Sequence, residues 1–294
     1  MGVITLNDCW RHEAMEIMDG IHQITLGGDG PSGRRPTVSA YYVQGTDYGV
    51  FIDAGFPDEE RTRPLLDYWR DTLGSPKTEW VFVSHRHYEH GGGVKLVKEA
   101  TGAQVAVGAG DAEAVDADIG KGSKVVDKPL HGDEVFDLGG RHLRAVATPG
   151  HTLGTFCYLL EEEGILFTGD HIMGQGTVVV RTDEGGRMTE HIDSLRKLLD
   201  LDLKTVLSGH GPVMNDPLAK IPDLVRHRLE RDEQILGMLR EGTNHVDALV
   251  SRIYGETSER LGFLARHQVV AHLKKLEEDG RAVATNQADT YRPA

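Results

Sequence analysis

Cysteine is nearly missing from this sequence: Cys9 and Cys157 are the only two among 294 residues. Two thiols without metal-like spacing make neither a disulfide framework nor a thiolate zinc site, so both read as core residues or bystanders. Long apolar runs are missing as well. No stretch of about 18 apolar residues occurs, so no membrane-spanning helix is expected. Residues 1–8 lack a basic segment leading into an apolar run, and Leu6 and Asn7 stand where a myristoylation signal favours Ser or Thr; a cytoplasmic protein without a lipid anchor is the expectation. Positive charge is in short supply: 32 Lys plus Arg face 46 Asp plus Glu, a formal net charge of -14. That balance disfavours non-specific attraction to phosphate backbones or anionic membranes. Repeats and low-complexity linkers are absent too.

What is present is a chain long enough for one large domain and one small one. The first part reads as strands: Gly20 to Leu26, Val38 to Val43, and Gly49 to Asp53 after a Gly45-Thr46-Asp47 turn, the latter two forming a hairpin. Helices and strands then alternate. Asp58 to Gly74 suits an amphipathic helix, Trp80 to Val83 a buried strand, a segment opened by Gly91 to Gly93 and reaching about Ala100 a helix, and Gln104 to Val107 a strand. Further strands are expected at Leu143 to Thr148, Phe156 to Leu160, Ile165 to Phe167 and Thr205 to Leu207, with helices at Asp111 to Asp118 and Met188 to Leu201. After Pro217 the pattern becomes charged and helical: Leu218 to Arg240, a helix capped by Thr243, then Gln268 to Leu276, followed by a strand at Arg281 to Ala284. Three helices and a short β wing are the outline of a winged-helix module. The domain boundary is placed at residues 1–216 and 217–294.

Chemistry concentrates in His85-Arg86-His87-Tyr88-Glu89-His90. Imidazole and carboxylate suit zinc and related divalent ions, whereas crowded histidines repel one another when protonated. In an extended segment residues two apart point the same way, so His85, His87 and Glu89 form one set, and a turn at the following glycines brings His90 alongside. His151, Asp170 and His210 sit in glycine-flanked turns at strand ends, where the backbone can bend sharply and hold a side chain over a pocket. Five histidines and two carboxylates account for two ions if one carboxylate bridges. A closed structural site needs only four ligands; this larger set leaves room for a bridging water, whose pKa falls to about 7 on zinc.

This ligand pattern resembles the metallo-β-lactamase superfamily, whose signature is His-x-His-x-Asp-His followed by a His, an Asp and a His in separate turns. The resemblance implies that one metal takes His85, His87 and His151, a second takes Glu89, His90 and His210, and Asp170 bridges. It implies an α/β (α+β) fold, an αββα sandwich with the site at one edge. Asp53, in Phe51-Ile52-Asp53-Ala54-Gly55, would stand behind the ligands and hold one of the histidines. The runs at 169–174, 209–213, 227–235 and 270–276 further resemble the β-lactamase-like protein 2 subgroup, whose members carry a C-terminal winged helix. One position departs from the family: Glu89 stands where the pattern has Asp, and ligation through the longer arm is the favoured reading.

The implied reaction is attack of a metal-bridging hydroxide on a carbonyl, with Asp170 orienting the hydroxide and Glu89, if free of metal, acting as general base. By analogy with the glyoxalase II and polyketide thioesterase branches the expected substrate is a small-molecule or acyl-thioester compound, cleaved at a thioester or ester bond. The expected cofactors are two divalent ions, zinc first, with iron or manganese compatible. Two other readings stand beside it: a single-strand endoribonuclease, since the subgroup includes a ribonuclease, and a metal-binding regulatory module impaired by Glu89. Export is typical of β-lactam hydrolases and no export signal is visible, so β-lactams rank lower. Residues 222–294 hold 11 Lys plus Arg against 12 Asp plus Glu, which disfavours nucleic acid and favours a structural or dimerising cap, with a homodimer as the partner state. His171, next to Asp170, is a candidate for the pocket or for a hydrogen bond behind a ligand. Arg86 and Tyr88 are expected to pack or anchor the loop rather than meet substrate. Arg181 is a candidate anion contact, though a lone arginine is usually solvated.

Overall fold

The computed structural model describes residues 13–27, 37–255 and 257–294. Cys9 and residues 28–36 lie outside them. Strands β1 (Ala14–Met18), β2 (Ile21–Gly27), β3 (Thr37–Val43) and β4 (Gly49–Ile52) pair antiparallel in sequence order. The β3–β4 hairpin is as expected. Helix α1 (Glu59–Asp67) then carries the chain to β5 (Thr78–Val83), parallel to β4. Helices α2 (Tyr88–Gly91) and α3 (Val94–Thr101) lead to β6 (Gln104–Gly108), and α4 (Ala109–Ala114) precedes β7 (Lys128–Leu130), completing a seven-stranded sheet in the order β1 to β7. The second sheet is a meander of β8 (Val135–Asp137), β9 (His142–Ala147), β10 (Phe156–Leu160) and β11 (Ile165–Gly169). After helix α5 (Met188–Leu198), β12 (Thr205–Ser208) adds parallel to β11.

Side-chain alternation dictates how the sheets stack. Phe82 points inward to meet Tyr158, Phe167 and Leu207 of the second sheet, while its neighbours Val81 and Val83 point outward to Val94 and Val97 of α3 and Leu65 of α1. On β10, Phe156, Tyr158 and Leu160 face the first sheet and Cys157 and Leu159 face α5. Both faces of each central strand are therefore buried, and the four layers are helix, sheet, sheet, helix. Each large side chain of this core contributes about 2 kcal/mol on burial. A one-residue slip would reverse the whole set, so the register is strongly held.

Helix α6 (Pro217–Arg240) begins with Pro217 behind an Asp216 cap, whose carboxylate accepts from the Ala219 N–H at 3.1 Å. Its first half packs Ile221 and Leu224 beside α5 on the second sheet. Its second half packs Ile235, Leu236 and Leu239 against α7 (Val246–Tyr254), α8 (Thr257–Glu278) and a two-stranded wing, β13 (Ala282–Ala284) and β14 (Tyr291–Pro293). This is a winged-helix arrangement. Thr243 does not cap α7: His245 does, its Nδ1 accepting from the Asp247 N–H, while Thr243 Oγ1 accepts from Arg252. Among the described residues no helix is long and apolar enough to cross a membrane.

Candidate metal centre

The loops that follow β4, β5, β9, β11 and β12 carry Asp53, the 85–90 cluster, His151, Asp170 and His210 respectively. All five strands are parallel or brought parallel through antiparallel neighbours, so their carboxyl ends converge at one edge of the sandwich. Cross-sheet hydrogen bonds close that edge: Tyr41 Oη–H donates to Ser208 O and Tyr158 Oη–H to Val83 O, each at 2.7 Å, and the Ser39 N–H donates to Gly209 O at 2.8 Å.

Every histidine of the set has its outward ring nitrogen engaged. His85 Nδ1 lies 3.0 Å from Ser84 Oγ, whose own proton goes to Asp53 Oδ2. His90 Nδ1 lies 2.7 Å from Asp53 Oδ2, His87 Nε2 lies 2.6 Å from Glu184 Oε2, His151 Nδ1 lies 2.8 Å from Val179 O, and His210 Nδ1 lies 2.6 Å from Thr37 O. Those oxygens can only accept, so each outward nitrogen carries a proton, and the inward nitrogen of each ring that is otherwise neutral presents a lone pair. His85 Nε2 and His87 Nδ1 stand 2.9 Å apart, and His151 Nε2 is 3.1 Å from His87 Nδ1. Three lone pairs this close repel unless a cation lies between them, and nitrogens on a tetrahedral zinc stand about 3.3 Å apart.

Asp170 lies between two groups of potential ligands. Its Oδ1 is 3.2 Å from His90 Nε2 and 3.3 Å from His210 Nε2, and its Oδ2 is 3.8 Å from His151 Nε2. His85, His87, His151 and Asp170 form one set whose donor atoms lie within 4.8 Å of one another; Glu89, His90 and His210 form the other. Glu89 Oε2, His90 Nε2 and Asp170 Oδ1 are buried without a hydrogen-bond partner. Oxygen and nitrogen donors aimed at a common point, otherwise unpaired, fit a divalent cation. Strand-like alternation breaks down at one place. Strand β5 ends at Val83, residues 84–86 bend, and helix α2 starts at Tyr88, so Glu89 turns away from His85 and His87 and joins His90 and His210.

Electrostatics separate the two sets. Burial, reinforced by the neighbouring imidazoles, pushes His85 well below the ordinary histidine range; burial likewise takes His151 down to about 4. For His90 burial acts in the same direction but is outweighed by Asp170 and Asp53, which hold it well above that range. Burial would raise Asp170, and the His90 and His210 imidazoles overcome this and keep it ionised. His85 and His151 therefore offer free lone pairs, and His90 exchanges a proton for a cation.

The centre opens into a cleft of about 940 Å³, walled by Met173, Thr177, Val178 and Val179 on one side and by Tyr254, Leu264, Ala265 and Gln268 of the winged-helix domain on another. Tyr88 packs its ring beside Phe56, with centroids 6.0 Å apart, but is also half exposed and lines this cleft; Arg86 anchors the loop, paired with Asp118 at 2.8 Å. Arg181 also lines the cleft but is neutralised by Asp183 and Glu184, at 2.8 and 2.9 Å, so it is no free anion contact. His171 is buried away from the cleft against His191, with neither ring nitrogen hydrogen-bonded. Two residues escaped the sequence reading. Glu184 holds His87, and Asp111 binds the Arg86 and Gly154 amides and the Thr152 hydroxyl, tying the two histidine loops together. Neither bears a local signal beyond being an acidic residue beside a turn.

Residues 33–210 match the metallo-beta-lactamase superfamily, and residues 246–290 match the beta-lactamase associated winged helix domain. The chain is 32% identical over 261 residues to the beta-lactamase-like protein 2 homolog of Drosophila melanogaster, covering 83% of this chain and 85% of that one. It is 31% identical to an atrochrysone carboxyl ACP thioesterase of Passalora fulva, over 50% of this chain and 46% of that one. Among solved structures it is similar to a metallo-beta-lactamase family protein from Thermus thermophilus, with a TM-score of 0.76 and 21% identity over 95% of this chain and 100% of that one. A beta-lactamase domain protein from Burkholderia ambifaria matches with a TM-score of 0.79 and 19% identity over 96% and 94%. At that identity the two structures speak for the fold alone.

Proposed function

This chain belongs to the metallo-β-lactamase superfamily and carries the winged-helix domain associated with it, and from that premise we propose that it is a two-zinc hydrolase of thioester or ester bonds. The observation that carries the bond type is the lining of the cleft. Away from the candidate ligands and Glu184 its walls are apolar or uncharged, and among the described lining residues the one Lys or Arg side chain, Arg181, is spent on two carboxylates. A polyanionic phosphodiester strand needs free cations along its path; an acyl group needs apolar walls. A relative named as a thioesterase supports the same choice.

In this reading His85, His87 and His151 hold one ion, Glu89, His90 and His210 hold the other, and Asp170 faces both. Zinc bound there supplies an acidified water and a Lewis acid for the carbonyl oxygen. The chain supplies the rest. Asp170 remains a carboxylate at neutral pH, and its Oδ2, turned away from His90 and His210, is the oxygen available to orient a water for attack. Val178, Val179, Leu264 and Ala265 receive the acyl group and exclude solvent from it.

The test is a panel of acyl thioesters of increasing chain length beside a labelled single-stranded RNA, with metal analysis of protein purified without added metal. Thioester hydrolysis, abolished by chelator, restored by zinc and lost in His87→Ala, is expected. RNA cleavage without thioester turnover would replace this reading by a nuclease, and tight metal binding with no hydrolysis by a regulatory module. Iron or manganese in the purified protein would overturn the choice of zinc alone.

A further inference from the structure

The segment Val178–Val180 belongs to neither sheet, yet Val178 and Val180 are buried where it borders the cleft. Buried peptide groups outside a ladder must find partners elsewhere. Here they come from three directions. Val178 O accepts from Arg228 Nη2 of α6 at 2.7 Å, Val179 O accepts from His151 Nδ1 at 2.8 Å, and the Val180 N–H donates to Gln268 Oε1 of α8 at 3.1 Å. The Val180 side chain is fully buried with Met188 and Ile192 of α5 and Ala271 of α8. Arg228 and Gln268 are themselves 2% and 6% exposed, so neither is free to swing away.

Val179 C=O and Val180 N–H are the two ends of one planar peptide unit. Gln268 grips one end and the metal ligand His151 hangs from the other. An N–H donor accepts no orientation of the Gln268 amide other than oxygen towards it. We infer that Gln268, with Arg228 securing the preceding peptide, is a positioning residue of the metal centre: through the Val179–Val180 peptide the winged-helix domain sets the ring orientation and tautomer of His151. A hydrogen bond accepted from one end of a peptide also strengthens the acceptor at the other, so the link is electronic as well as geometric. This role concerns metal binding by the first set whatever substrate the cleft receives, and so does not depend on ester chemistry.

Zinc affinity, measured by chelator competition on the whole chain, tests it in two backgrounds. His210→Ala leaves the His85, His87 and His151 set intact, and His151→Ala leaves Glu89, His90 and His210. Gln268→Leu, which keeps volume and removes the acceptor, is expected to weaken zinc about tenfold in the first background and less than about twofold in the second, given the effects of losing a histidine's outer partner. Gln268→Glu, which retains an oxygen there, is expected to restore binding. Equal losses in both backgrounds, or none in the first, overturn the inference. Should Gln268→Leu fail to fold, Arg228→Gln carries the same test: a loss confined to the first background supports the link, and a uniform loss or no loss removes it.

Discussion

Glu89 shows how a single residue is placed by its backbone rather than by its neighbours in sequence. The helical turn that starts at Tyr88 lifts it away from His87 and delivers its carboxylate, one methylene longer than aspartate, to the His90 and His210 side. Glu89→Gln keeps the shape and removes the charge. It is expected to weaken the second metal about 10- to 100-fold, so that dialysed protein retains one ion where the unaltered chain retains two; unchanged metal content would show that Glu89 is no ligand. His191 makes a second prediction, on stability. It is buried and faces His171, Arg228, His151 and His272, and burial first, then these neighbours, hold it well below the ordinary histidine range. A histidine kept neutral in the folded state gains its proton only on unfolding, so its contribution is present above pH 6.5 and is lost as pH falls below it. Between pH 7.5 and 5.5 this amounts to about 1.4 kcal/mol. Urea unfolding at the two pH values should show the loss, and His191→Gln should lose less of its stability over the same interval; an identical pH dependence in the variant would remove the assignment.

At the scale of elements, the turns after β11 and β12 work because glycine leaves room for their neighbours' side chains. A Cβ at Gly209 would lie 2.4 Å from His90 Cε1 and 3.2 Å from Asp170 Oδ1. The His90 ring cannot yield without giving up Asp53, so Gly209→Ala is expected to displace it and empty the second metal position while the first still loads, as read by zinc titration. Gly237, in the last turn of α6, has open space where a Cβ would stand, with no atom of another part of the fold within 4 Å, and no left-handed backbone. There alanine is expected to raise stability by up to about 1 kcal/mol; a loss of stability on thermal melting would mean that this face of the helix is packed after all.

Over the whole molecule, seven donor side chains from four loops meet at the seam of two sheets, and unfolding scatters them. Metal binding and folding are therefore coupled: zinc at a thousand times its dissociation constant adds about 4 kcal/mol to the folded state. Chelation should lower the melting temperature by several degrees, and re-addition of zinc should restore it; an unmoved melt would count against both metal positions. The ligand types were legible in the sequence because their signal is local: imidazoles and a carboxylate within 85–90, and glycine-flanked turns around His151, Asp170 and His210. The strands and the helical tail were legible for the same reason, since periodicity is a property of neighbours. Local reasoning failed where bends and a short helix replaced the extended run assumed through Glu89, and where a capping side chain was chosen by its surroundings, at His245 rather than Thr243. It had no means of reaching Asp111, 25 residues from the Arg86 amide it binds, Glu184, 97 residues from His87, or Gln268, 88 residues from Val180. The sequence by itself determined which atoms can bind metal, because that is fixed by side-chain chemistry; only the tertiary structure decided which of them share an ion and what holds them still, because convergence and burial belong to packing between distant segments.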